Sequence, residues 1–197
     1  WAAGASPAGD LIVDLDATII RTKADKQDAA PTYKRTFGHH PLLAMCAETD
    51  EVLAGMLRPG NAGANTAADH VAVLDDALAQ IPDQHRHGQP LLVRADGAGC
   101  SKQFLAHVRG LRARGINTEF SVGFTMTEHV QDGIARLPTQ AWTPAVEADG
   151  EPRDGADVAE LTGVLPDLAA AGWPEGMRVI VRRERPHPGA QLSLFEH

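Results

Sequence analysis

The sequence has no long apolar run. None approaches the roughly 20 residues that a helix needs to span a bilayer. No charged segment leading into an apolar stretch opens the chain either, so neither a membrane segment nor a secretory leader is read from it. Cysteine is scarce. Cys46 and Cys100 stand alone and form no metal-spaced pair, and two scattered cysteines point to reduced thiols in a cytoplasmic protein. Cys46 lies in an apolar run and reads as core. An excess of positive charge is missing too: 18 Lys and Arg stand against 26 Asp and Glu, a net charge of -8. That argues against a simple nucleic-acid binder, because phosphate contacts need Lys and Arg. No Gly-rich phosphate loop, nucleophile elbow or HExxH motif occurs. The histidine pairs His39-His40 and His85-x-His87 fall in loops without partners at ligand spacing, so a zinc site is not expected.

What remains is a chain of 197 residues, 43% hydrophobic and 22% charged, enough for one α/β domain with a sizeable core. It begins at Trp1 rather than Met and is read as a fragment. Residues 1–9 are small and Gly/Pro-bearing, a linker or tail. The apolar, β-branched stretch 11–20 predicts a buried strand. Residues 21–33 read as a loop, and 41–47 with 52–57 as a hairpin around Glu48-Thr49-Asp50-Glu51, ended by Arg58-Pro59-Gly60-Asn61. A helix is predicted over 66–80, ended by Pro82. A short buried strand follows at 91–93, then a helix capped by Ser101 and ended by Gly115. A strand at 116–124 and a Thr127-capped helix to Arg136 come next. Beyond Pro138 strands are expected at 142–147, 158–161, 177–181 and around 191–195. The fold class is α/β: a mixed sheet flanked by helices in residues 10–137, with a β-rich insertion over 138–197.

Two places carry chemistry. In Asp14-Leu15-Asp16-Ala17-Thr18, strand alternation puts Asp14, Asp16 and Thr18 on one face. Two carboxylates on a buried strand repel each other, and a divalent cation would relieve that cost; the plainer alternative is an edge strand with a wet polar face. Asp96 follows the 91–93 strand and precedes Gly97 and Gly99, at a strand carboxyl end where α/β sites gather. An ordinary strand-to-helix turn would look the same. Basic residues cluster at Arg94, Lys102, Arg109, Arg112 and Arg114, and again at Arg178, Arg182, Arg183 and Arg185. Each cluster is either a solvated face or a phosphate contact.

Taken together, several segments resemble bacterial insertion-sequence transposases of the DDE type, group 1. They are 11–18, Pro31-Thr32-Tyr33-Lys34-x-x-Phe37-Gly38-x-His40-Pro41-Leu42, Arg58-Pro59-Gly60-Asn61, Arg94-x-Asp96-Gly97-x-Gly99, and 179–194 with Arg182-Arg183 and Pro188-Gly189-Ala190-Gln191-Leu192. The resemblance implies a ribonuclease-H-like fold. It makes Asp16 and Asp96 the first two catalytic, metal-holding carboxylates, with Asp14 and Thr18 in support. It also implies two Mg²⁺ or Mn²⁺ ions, insertion-sequence ends and target DNA as partners, and a homodimer in the full-length protein. Arg94, Lys102, Arg182 and Arg183 are the expected DNA contacts, and the location is the bacterial cytoplasm, at the nucleoid. The family's third carboxylate, a Glu on a late helix, has no counterpart before His197; neither Glu184 nor Glu196 is assigned that role. The fragment is therefore expected to be inactive alone.

Two other readings stand beside it. Asp14-x-Asp16-x-Thr18 is similar to the nucleophile motif of haloacid-dehalogenase-type phosphatases, with Asp14 the nucleophile and Asp16 the acid. That family needs a Lys between its motifs, and none occurs between Lys34 and Lys102. The other reading is a non-catalytic DNA-binding transposase fragment.

Overall fold

The computed structural model describes residues 11–23 and 26–185. The chain divides into two compact units between Thr125 and Met126. In the first unit the elements are β1 (Leu11–Ala17), β2 (Ile20–Arg21), β3 (Ala30–Pro31), β4 (Phe37–His39), β5 (Leu42–Cys46), β6 (Glu51–Met56), α1 (Ala67–Gln80), α2 (Asp83–Arg86), β7 (Leu91–Ala95), α3 (Lys102–Gly110) and β8 (Thr118–Val122).

Five of these strands form a mixed sheet in the order β6-β5-β1-β7-β8. β5 runs antiparallel to both β1 and β6, whereas β7 runs parallel to both β1 and β8. The strand with the carboxylates is therefore the middle one of five, and the edge-strand alternative is overturned. Alternation sets its two faces. Leu11, Val13 and Leu15 are buried, as are Leu42, Ala44 and Cys46 of β5 and Leu91 and Val93 of β7. Against them pack Val73, Leu74, Ala77 and Leu78 of α1 and Phe104, Leu105 and Val108 of α3. Each Val, Leu or Phe among them contributes about 1.5–3 kcal/mol. The polar groups in this core are satisfied: Thr118 Oγ1 donates to the Val108 carbonyl at 2.7 Å, and His70 Nδ1 lies 3.0 Å from the Thr66 carbonyl.

The local signals act where the sequence placed them. Ser101 Oγ accepts from the Phe104 N–H at 3.3 Å to start α3, and Gly115 takes φ +78° just past the turn that closes it. One expectation fails. Residues 21–33 are not plain loop, because β2, β3 and β4 make a small sheet of order β2-β4-β3. These strands are two or three residues long, too short for a periodic signal. They are held by close backbone approach: a Cβ on Gly60 would lie 2.2 Å from the Ala30 carbonyl oxygen and 2.5 Å from that of Gly38. Arg58, 3% exposed, ties the next loop down through the His40 carbonyl (2.9 Å), the Gly63 carbonyl (3.1 Å) and Asp69 of α1 (3.0 Å).

The second unit holds α4 (Glu128–Ala135), β9 (Thr143–Val146), β10 (Pro152–Glu160) and β11 (Ile180–Glu184). The three strands form an antiparallel sheet of order β11-β10-β9. β10 is longer than expected and β11 lies later, because cross-strand ion pairs such as Arg183 with Asp157 (2.9 Å) let charged residues occupy strand positions. The expected tail at 1–9 and strand near 191–195 lie outside the described residues.

Candidate active site

Asp16 is the sixth residue of β1, and Asp96 is the first residue beyond β7. The two strands are parallel neighbours, registered Asp14 with Arg94 and Leu15 with Ala95. The paired register ends there, one residue before Asp16 on β1 and before Asp96 past β7. Alternation turns Asp16 to the face opposite the buried Leu15, and both aspartates are exposed. Asp96 is fixed by its own turn: its Oδ1 accepts from the Ala98 N–H at 2.8 Å, which leaves Oδ2 for another partner.

Asp14 has a different environment. Arg94 Nε donates to its Oδ1 and Arg94 Nη2 to its Oδ2, each at 2.6 Å. This fork raises the Arg94 pKa above its ordinary value, chiefly through the hydrogen bonds to Asp14. In the sequence Asp14 and Arg94 stand 80 residues apart, with no local signal joining them. Their pairing follows once β1 and β7 are set in register, since residues facing each other on parallel strands share a face. Thr18 lies just past β1, exposed, and its N–H donates to the Pro41 carbonyl at 3.1 Å.

The expected DNA contacts are mostly engaged with acids. Besides Arg94, Arg182 is 3.4 Å from Glu184, and Arg183 is 2.9 Å from Asp157 and stacks 4.1 Å over the Trp142 ring. Lys102, exposed at the start of α3, also has an interaction partner. Glu184 is taken up by Arg153, at 2.6 Å. Among the described residues, no group of three or more His, Cys, Asp and Glu is gathered as a metal cluster.

A family model described as transposase DDE domain group 1 matches residues 2–195. The chain belongs to that family. It is also similar to a piggyBac transposase solved by cryo-EM in a synaptic complex with hairpin DNA. The identity is 10% and the TM-score 0.45, with 79% of this chain and 30% of that one covered, so this domain spans under a third of that transposase's length. A comparison with curated protein sequences found no match.

Proposed function

We propose that this DDE domain provides the first two carboxylates of a DNA transposase centre that cuts insertion-sequence ends and joins them to target DNA, with Asp16 and Asp96 as those carboxylates. The observation that supports the reading is that Asp16 lies near the carboxyl end of β1 and Asp96 just past the carboxyl end of β7, its parallel neighbour in the middle of the sheet. Within this reading the sheet is the ribonuclease-H-like core, and two copies of the full-length protein act on paired ends.

The donor set fits a hard divalent cation. Two exposed carboxylates supply oxygen ligands, and Mg²⁺ commonly takes one or two carboxylates and completes its shell with water and substrate phosphate oxygens. Asp16 and the free Oδ2 of Asp96 would hold it. A cation bound there would polarise a phosphoryl oxygen and lower the pKa of an attacking water or 3′ hydroxyl. The chain's own part is to keep Asp96 turned by the Ala98 N–H and to keep Asp16 at a fixed register on β1.

The phosphatase reading is not favoured. Both oxygens of Asp14 are engaged by Arg94, whereas a nucleophile needs one oxygen free to attack. Titrating the chain with Mn²⁺ tests the proposal. Wild type should bind, and Asp16→Asn and Asp96→Asn should each weaken binding at least tenfold with the fold retained. Equal binding by all three proteins refutes the assignment.

A further inference from the structure

The arginines that look basic in sequence are neutralised in the fold, but one segment is not. Between β1 and β5 the chain makes an excursion over residues 18–41. It leaves the main sheet two residues after Asp16 and returns where Thr18 N–H meets the Pro41 carbonyl. The excursion therefore stands at the carboxyl end of β1, the end that carries Asp16. It holds Arg21, Lys23, Lys26, Lys34 and Arg35 against only Asp25 and Asp28, in a chain of net charge -8. All five cations are exposed. None is ion-paired with a described acidic residue, in contrast to Arg94, Arg109, Arg112, Arg114, Arg178 and Arg183.

Its outermost part is the tip of the β3–β4 hairpin. Thr32 N–H donates to the Thr36 carbonyl at 2.7 Å, and Arg35 N–H to the Thr32 carbonyl at 3.0 Å. The turn so closed projects Tyr33, Lys34 and Arg35, with Arg35 at φ +57°. Tyr33 is 71% exposed, far more than a core aromatic. Its ring is still backed on one side by His40, 5.9 Å between centroids. His40 is buried and bonded through Nδ1 to the Ala62 carbonyl at 3.2 Å. The Lys34 ammonium sits 5.7 Å from the centre of the Tyr33 ring. A supported, solvent-facing ring beside cations is the composition of a base-stacking platform on a phosphate-binding surface.

We propose that the Tyr33-Lys34-Arg35 tip, backed by Arg21, Lys23 and Lys26, is a DNA-docking surface that holds phosphodiester backbone at the Asp16 end of the sheet and stacks an unpaired base on Tyr33. It rests on the reading of this domain as a DNA transposase centre. It assigns DNA contact to a segment with an excess of cations in place of the paired Arg94, Arg182 and Arg183.

The test uses the whole chain, a labelled duplex with a single-stranded tail, and the same duplex blunt-ended, with anisotropy followed across a range of salt. Lys34→Gln with Arg35→Gln should weaken binding to both probes about tenfold or more at low salt. It should also lower the slope of log affinity against log salt by about 2, roughly one per lost phosphate contact. Tyr33→Ala should weaken only the tailed probe, about tenfold, without changing the salt slope, and Tyr33→Phe should restore it. Circular dichroism confirms the fold of each variant. If wild type binds both probes and the variants match it, the docking surface is wrong while the DNA reading stands. If Tyr33→Ala weakens both probes equally, the stacking role is wrong. If wild type binds neither probe, the DNA reading fails and takes this inference with it.

Discussion

Arg94 grips both oxygens of Asp14 across the β1–β7 boundary, 80 residues away in sequence. The pair sits two residues before Asp16 in β1 and two before Asp96, which follows β7. Its Arg94 side chain is 51% exposed, so the pair adds at most about 1 kcal/mol to stability. Its stronger effect is to occupy Asp14. Asp14→Asn is therefore expected to keep the fold and the bulk of any DNA cleavage in a protein containing this domain. By releasing Arg94 it should raise DNA affinity severalfold at low salt. Inactivation by Asp14→Asn, together with hydrolysis of a small phosphate ester by wild type, would restore the phosphatase reading.

Asp16→Asn and Asp96→Asn should behave differently. Each removes a charge but almost no volume, so the melting temperature should stay close to that of wild type. Cleavage of element-end DNA by a transposase carrying the domain should be abolished in both. That cleavage should require Mg²⁺ or Mn²⁺, with Ca²⁺ supporting little, because its looser shell positions oxygens less strictly. Cleavage that survives in either variant removes that residue from the site.

The small sheet depends on a position with no room for a side chain. The Cβ of Gly60→Ala would press on two backbone oxygens, of Ala30 and Gly38, which cannot swing aside as a side chain can. Overpacking of this kind costs about 1–3 kcal/mol. The urea midpoint should fall with little change in slope. DNA binding should weaken as well, since the same sheet bears the Tyr33 tip.

Acid should loosen the second unit. The Arg178 guanidinium beside Glu160 holds its carboxyl below the usual value of 4.5, helped by the Thr162 hydroxyl and opposed by partial burial. A depressed carboxyl gives stability that is complete above its unfolded value and is lost as pH falls through the folded one. Chemical denaturation followed from neutral pH to below 4.5 should show wild type losing stability faster than Glu160→Gln, whose curve lacks this contribution. Parallel curves would show that the Arg178 contact is inconsequential in solution.

The central strand, the hairpin after it, the long helices and the caps at Ser101 and Thr127 were legible because each has a local cause: apolar alternation, helical spacing or a side chain that replaces a missing backbone partner. The fold class followed from their order. Asp16 and Asp96 stood out as carboxylates where apolar strands end. Other features were illegible for equally physical reasons. β2, β3 and β4 are too short to show a period, and their close approach depends on Gly60, which reads only as a turn residue, and on Gly38, whose role no local signal gives. The charged strand β11 conceals its pattern because Arg183 and Asp157 satisfy each other only after pairing. The engagement of Asp14 by Arg94 depends on a parallel register that nothing local encodes.

The strand order also dictates when the site comes into being. β1 meets β5 soon after it is synthesised, in an antiparallel meander that β6 completes by Met56. Its other edge stays unpaired until β7 has emerged, and such non-local parallel pairings are slow to form. During that interval the strand bearing Asp16 is an open edge, prone to take up a wrong partner strand. The strand ends that carry Asp16 and Asp96 are brought side by side only when that edge closes, so a nascent or misassembled chain holds the two carboxylates apart.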